Sequence, residues 1–270
     1  MFKKWNKYSI LQGDIMNEEK VLEVIHYTDD LFWFKTTKGE MWNKKNFQPG
    51  EFTMIGMPSV DVTRAYSIAN SPEDDHLEFL SIKVQDGPLT SQLQNIKVGD
   101  TVNVSHKAIG TLLLRNLDPE PCINENGRLW MISTGTGLAP FISLARHPEV
   151  YHYYKQVIVT HTCRKNEELV FRKELEANGA IVYQSVTRDE PSNGVFTGRI
   201  TDNIRSGALF DSLELDMSQF DKTRDRIMIC GGPSFNNELR DMLEEAGWIH
   251  GTMRSPGDFV QERAFVETIE

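Results

Sequence analysis

Cysteine is scarce in this chain: three in 270 residues, Cys122, Cys163 and Cys230, odd in number, far apart and without a CxxC pair. That excludes a disulfide framework and gives no basis for a zinc or iron–sulfur site, so reduced thiols and no metal are expected. Long apolar runs are missing as well. Nothing approaches the ~18 residues of a spanning helix, and the basic start MFKKWNK leads into polar sequence rather than the apolar core of a signal peptide. A soluble, cytoplasmic protein without membrane association is expected. Positive charge is in deficit, with 29 Lys and Arg against 39 Asp and Glu and a net charge of -10. General nucleic-acid binding, which rests on neutralising phosphates, is therefore excluded. Through Gly110 the chain has 12 basic and 15 acidic residues, and beyond it 17 and 24; an acidic partner would have to find a local basic patch. Internal repeats and low-complexity tracts are absent too. What remains is ordinary globular composition, 39% hydrophobic and 25% charged, long enough for one large domain or two of ~100–150 residues.

The patterning divides the chain in two. Up to about residue 110, short β-rich runs at 21–25, 31–36, 52–57, 65–69, 76–84 and 101–107 are punctuated by Gly, Pro, Asn and Asp, with one helical stretch at 90–96. This spacing predicts a small antiparallel barrel or sandwich. From Leu129 the runs LWMIST, QVIVTHTC, AIVYQSV and RIMICGG are apolar and nearly unbroken, as for parallel strands covered on both faces. Between them lie helical patterns: Asn166 precedes one that ends at Gly179, and Ser234 precedes another that ends at Gly247, which reads as N-caps and C-caps. Strand–helix alternation predicts a doubly wound parallel sheet. The stretch NLDPEPCINEN has two prolines and no apolar period, so the boundary is set there, with a first domain of 1–117 and a second of 118–270.

Several residues could carry chemistry. In Arg64-Ala65-Tyr66-Ser67, strand alternation would send Arg64 and Tyr66 to one face and Ser67 to the other. About twenty residues on, Gly87-Pro88-Leu89-Thr90 is a glycine turn leading into a helix whose N-terminus offers N–H groups and partial positive charge to a phosphate. An arginine, a helix start and a tyrosine ring together could hold a dinucleotide pyrophosphate and stack its flat ring. In the second half LWMIST runs into Gly135-Thr136-Gly137-Leu138-Ala139-Pro140 and then an apolar helix, the order of a phosphate-binding turn. Pro140 stands where the plain G-x-G-x-x-G pattern has its last glycine, and proline suits a first helical turn. Arg164, Arg188 and Arg199 follow successive strands, at the edge where open α/β sheets bind ligands. Guanidinium grips phosphate with two prongs, so a ribose 2′-phosphate is their natural target. The fourth run ends in Cys230-Gly231-Gly232-Pro233, where paired glycines let a flat ring approach the backbone. Taken singly, each has a plainer reading: Tyr66 in a barrel wall, the arginines solvated, Cys230 a small buried hydrophobe.

The order RAYS, GPLTS, STGTGLAP, HTCR, VTRDE, TGR, CGGP and ERAFVE resembles the ferredoxin–NADP reductase family, in its bacterial type. The resemblance runs from about Arg64 to the end, and its fold is an FAD-binding antiparallel barrel followed by an NADP-binding α/β domain. It implies that Arg64 and Ala65 meet FAD, Arg64 at the pyrophosphate, with Tyr66 on the isoalloxazine and Ser67 near flavin N5. Leu80, Ser81, Ile82, Lys83, Pro88, Leu89, Thr90 and Thr136 would line FAD. Arg164, Arg188 and Arg199 would take the NADP phosphate, with Gly135, Thr136 and Gly137 in the pyrophosphate turn and Gly231 and Gly232 beside the nucleotide. Cys230 and Glu262 would flank the nicotinamide. Plant-type members end in an aromatic ring two residues after that glutamate; here Ala264 stands there, followed by Phe265 and five more residues. In the bacterial type Ala264 would face the flavin and the tail, with Phe265, would wrap the FAD.

The activity so implied is electron exchange between NADPH, which gives two electrons as a hydride, and a one-electron carrier, ferredoxin or flavodoxin, by a monomer. The cofactor carries that chemistry while the protein orients it. Two other readings use the same scaffold. One is the free-standing reductase of an oxygenase; a version with a fused four-cysteine cluster is excluded by the cysteine count. The other is a non-catalytic flavin- or nucleotide-binding redox sensor, which fold alone does not exclude. Ser67, Cys230 and Glu262 together with three candidate phosphate arginines favour the enzyme, in which Ala264 would also stand at the reacting ring.

Overall fold

A computed structural model describes residues 16–43, 46–84, 86–120, 126–213, 215 and 217–264. Six strands come first: β1 (Met16–His26), β2 (Leu31–Thr37), β3 (Phe52–Met57), β4 (Val60–Ser67), β5 (His76–Ile82) and β6 (Thr101–Ser105). They form one sheet in the order β4-β3-β6-β1-β2-β5, every pair antiparallel. The sheet curls until its two edge strands meet through side chains, Tyr66 Oη on β4 lying 3.2 Å from Ser81 Oγ on β5. All six expected strands are present, with ends shifted by a few residues. The expected helix at 90–96 is a single turn, α1 (Thr90–Leu93).

Strand alternation explains how this barrel offers a second face. Phe32, Phe34 and Phe79 point inward to a core with Tyr66, Val102 and Val104. Their neighbours Leu31, Trp33 and Leu80 are equally buried but belong to the core of the second lobe. The run LFWFKTT is therefore apolar on both sides, because the barrel wall it forms is also the wall of an interface.

The second sheet comprises β7 (Arg128–Thr134), β8 (Gln156–Cys163), β9 (Ile181–Val186), β10 (Phe196–Thr197), β11 (Asp225–Gly231) and β12 (Phe259–Arg263), all parallel, in the order β10-β9-β8-β7-β11-β12. Along β7, Leu129 and Met131 face the layer of α2 (Ala139–Ala145), α3 (Pro148–Tyr153) and α4 (Arg172–Ala177). Trp130 and Ile132 face the layer of α5 (Ile200–Arg205), α6 (Ala208–Ser212) and α7 (Pro233–Glu245). Each such side chain contributes roughly 1.5–3 kcal/mol by leaving water. From β7 the chain proceeds to β8 on one side and later returns to β11 on the other, so a crevice opens at the carboxyl ends of β7 and β11. Among the described residues no helix is long and apolar enough to cross a membrane.

Two local expectations are corrected, and one strand is added. Asn166 does not cap a helix over the following residues: a 3₁₀ turn (Asn166–Glu168) comes first, and α4 begins after Phe171, whose φ of 66° is left-handed. Asn166 instead binds the neighbouring loop, its Nδ2 donating to Glu190 O (2.8 Å) and its Oδ1 accepting from Ser192 N (2.9 Å). Ser234 is not the cap of α7, which starts at Pro233 with Gly232 at the cap position. A further strand that the apolar runs did not mark, β12, holds Phe259 and Val260 and pairs in parallel with β11; its polar half, Gln261 to Arg263, hid it from the apolar pattern.

Candidate active site

The crevice between the lobes holds a cavity of about 580 Å³. One wall is the barrel's outer face, Leu31, Leu80, Ile82 and Lys83; the other is the carboxyl edge of the parallel sheet, with Gly135, Thr136, Arg164, Arg199 and Gly232. Leu31 and Ile82 are register partners across β2 and β5, as are Trp33 and Leu80. The antiparallel ladder therefore fixes this apolar wall. Lys83 is held by its Nζ donating to Thr28 O (3.0 Å).

The turn after β7 is a 3₁₀ turn (Gly135–Leu138) whose seat is set by two glycines with different reasons. Gly135 has a φ of +53°, a left-handed conformation that glycine adopts without Cβ strain. Gly137 lies against the end of β11, where an added Cβ would come within 2.1 Å of Cys230 O. Beneath the turn His161, 1% exposed, donates from Nε2 to Gly135 O (3.0 Å), with Cys163 Sγ 3.1 Å from the same nitrogen. Burial pulls the imidazole down to about 4, so at neutral pH it is uncharged. Burial, aided by Glu168, pushes the Cys163 thiol up. His161 had no signal in the sequence beyond a histidine inside an apolar strand.

Arg164, Arg188 and Arg199 are all exposed, and their side chains form no ion pair among the described residues. Arg164 and Arg188 follow adjacent strands and are joined by Arg188 N donating to Arg164 O (2.9 Å). The Arg164 turn is tied down by Glu168, whose carboxylate accepts from Arg164 N (2.8 Å) and Lys165 N (3.0 Å). An acid here thus serves the backbone and leaves the guanidinium free for an anion.

Cys230 and Glu262 are register partners on β11 and β12. Cys230 is fully buried, and its thiol is pushed up by burial and then by the nearby Glu262 charge. Glu262 crosses to the barrel: its Oε2 accepts from Thr111 N (2.8 Å) and Thr111 Oγ1 (3.2 Å). Burial raises its carboxyl to about 7, against the two Thr111 hydrogen bonds and with a push from Glu51. Thr111 lies 151 residues from Glu262 in the chain, and no motif marked it. Gly231 is buried and accepts at its carbonyl from Ala264 N (3.0 Å), which sets Ala264 beside the turn; Phe265 lies outside the described residues.

On the barrel side the expected set separates. Arg64 and Ala65 are exposed, Ser67 is half-buried, and Tyr66 is buried, with its ring edge-on to Phe34 and Phe79. Burial raises the Tyr66 phenol, opposed by Ser81 and Arg64, and Ser81 itself is buried with its hydroxyl turned to Tyr66. Leu89 is buried, Pro88 is exposed, and Thr90 Oγ1 donates to Val84 O (3.1 Å), holding the turn closed before α1.

A family model described as the oxidoreductase NAD-binding domain matches residues 131–241. The ferredoxin–NADP reductase of Azotobacter vinelandii is 42% identical, over 93% of this chain and 98% of its own. The flavodoxin/ferredoxin–NADP reductase of Rhodobacter capsulatus is 40% identical, over 92% and 93%. Among solved structures, a ferredoxin NADP+ reductase from Neisseria gonorrhoeae with bound FAD and NADP superposes with a TM-score of 0.83 at 27% identity, covering 93% of this chain and 99% of that one. A curled antiparallel barrel joined to a parallel sheet, a cleft between them and relatives matched nearly end to end agree: the chain belongs to the ferredoxin–NADP reductase family.

Proposed function

We propose that the protein is an FAD-dependent reductase that exchanges electrons between NADPH and a ferredoxin or flavodoxin. The observation that carries this reading is the cleft, in which an apolar barrel wall faces a glycine turn and phosphate-competent arginines with no acid partner among the described residues. That donor set suits a flat ring on one side and a charged dinucleotide on the other. When bound, the nicotinamide and flavin would supply the hydride transfer and the passage of electrons one at a time to the carrier.

The chain's own residues bind and orient. Arg64, Ala65, Tyr66 and Ser67, with Leu80 to Lys83, Pro88, Leu89 and Thr90, would hold FAD, Leu80 and Ile82 giving it an apolar surface. Gly135, Thr136 and Gly137 would take the nucleotide pyrophosphate, and Arg164, Arg188 and Arg199 its 2′-phosphate. Gly231 and Gly232 would leave room for the nicotinamide beside Cys230 and Glu262, with Ser67 and Ala264 near the reacting ring. A carboxyl raised to about 7 on Glu262 can hold a proton there at neutral pH. A division at 117/118, between β6 and β7, would give each lobe one cofactor. The enzyme would act as a cytoplasmic monomer with NADP(H) and the carrier as partners. The test is NADPH-driven reduction of a purified ferredoxin and a purified flavodoxin by the FAD-loaded protein. Turnover that depends on either carrier is expected; FAD-loaded protein that oxidises NADPH with neither refutes the reading.

A further inference from the structure

The helix that leaves the pyrophosphate turn also grips the barrel, at the residues that directly follow the Arg64–Ser67 tetrapeptide. From α2, Ser143 Oγ donates to Asn70 O (2.7 Å), both residues being fully buried. One step past the helix, Arg146 donates from Nη1 to Ala69 O (3.2 Å) and to Glu78 Oε2 (2.7 Å), and from Nε to Glu174 Oε1 (2.6 Å). Ala69 and Asn70 are two and three residues beyond Ser67.

The barrel side of this contact is rigid in its own right. Ala69 N donates to Glu78 O (2.9 Å), Glu78 N to Asn70 Oδ1 (2.8 Å), and Asn70 Nδ2 to His76 O (2.8 Å). The Glu78 side chain, 7% exposed, further meets His76 Nε2 (2.8 Å) and Lys35 Nζ (3.9 Å). On the other side Arg146 is joined by Glu174 to α4, so the guanidinium spans three elements from both lobes. A partly buried cation hydrogen-bonded on several sides has fewer alternative geometries than a surface ion pair.

One seven-residue helix thus has the pyrophosphate turn at its start and, at its end, a polar clamp on the backbone that continues the flavin-side strand. We propose that Arg146 and Ser143 are positioning residues for hydride transfer: they fix the height of the nucleotide turn against the strand carrying Tyr66 and Ser67, and so the approach of the two rings. This rests on the reductase reading above. Neither side chain lines the cleft, so their effect would pass through placement of α2 and leave the nucleotide contacts in being.

The experiment is stopped-flow reduction of the FAD-loaded protein by NADPH without oxygen, in the wild type, Arg146→Ala, Arg146→Lys and Ser143→Ala. Because small misplacements of reacting groups are amplified in rate, the limiting rate of flavin reduction should fall on the order of tenfold to a hundredfold in Arg146→Ala. Arg146→Lys should recover part of it and Ser143→Ala lose less, while the NADPH concentration for half-maximal rate changes less than about threefold. FAD content and thermal midpoint identify a variant that fails to fold; if Arg146→Ala does, Ser143→Ala and Arg146→Lys decide. A wild-type limiting rate in the folded variants, or a loss confined to NADPH affinity, overturns the proposal. A wild type that NADPH does not reduce overturns the reductase reading instead.

Discussion

Replacing Gly137 by alanine tests the seat of the glycine turn after β7. The new Cβ would stand 2.1 Å from Cys230 O, 2.6 Å from its carbonyl carbon and 3.0 Å from Gly231 N, whereas ordinary contact begins at 3.4 Å. Every clashing atom is backbone, and Cys230 is in register with Ser133 on one side and Glu262 on the other, so the strand cannot yield alone. The turn must recede by roughly 1 Å or the sheet edge must bend, at a cost of about 1–3 kcal/mol. Gly135→Ala is the control, since its Cβ meets nothing within 4 Å and it carries only the strain of its φ of +53°, about 1 kcal/mol. Urea unfolding of the FAD-loaded proteins should rank wild type above Gly135→Ala and Gly135→Ala above Gly137→Ala. The NADPH concentration for half-maximal turnover should rise most in Gly137→Ala, about tenfold for each 1.4 kcal/mol lost in binding. Equal stability and an unchanged NADPH requirement in Gly137→Ala would refute the packing of the turn on β11.

Glu262 gives a pH-dependent prediction. Its carboxyl lies at about 7 in the fold against an ordinary 4.5, so the folded state holds the proton more tightly. Its contribution to stability is greatest below about pH 4.5, declines as pH rises towards 7, and stays low above. The full difference is about 3 kcal/mol, and partial contact with water reduces it to about 1–2 kcal/mol. Glu262→Gln should therefore gain on the wild type as pH is raised from 4.5 to 8, read as the difference in urea midpoints; a difference that does not change with pH contradicts the assignment. Arg188→Ala combined with Arg199→Ala should reduce the preference for NADPH over NADH by about tenfold per arginine, from the loss of charged hydrogen bonds of roughly 1.5–3 kcal/mol. An unchanged ratio of the two kcat/KM values would remove these residues from the 2′-phosphate site.

Both lobes were legible because their strands obey different periods. The barrel strands are short and broken by turn residues, and apart from β2 and β5, which also wall the interface, they are covered on one face, while β7, β8, β9 and β11 are covered on both faces and read as unbroken apolar runs. β12 escaped because only Phe259 and Val260 are buried, its remaining residues Gln261, Glu262 and Arg263 being polar and half-buried or exposed. The cap at Asn166 failed because a side chain able to cap a helix can equally bind a neighbouring loop, and which it does is a tertiary matter. In the sequence, the glycine turn, the arginines and Cys230 stood out as motifs at strand ends, while Glu262 was named only through the family resemblance. Thr111, His161 and the Arg146 clamp did not stand out, because each acts through a backbone or side-chain partner far away in the chain. Tyr66 lies deeper than its motif implied, because the curl of the sheet brings β4 over β5 and its ring meets Phe34, Phe79 and Ser81.

The most direct test of the account is the visible spectrum of the FAD-loaded protein during oxygen-free addition of NADPH, with NADH added to a second sample. The flavin band should bleach with NADPH and bleach much more slowly with NADH. A protein that cannot hold FAD, or a flavin band that neither nucleotide bleaches, would contradict the reductase reading.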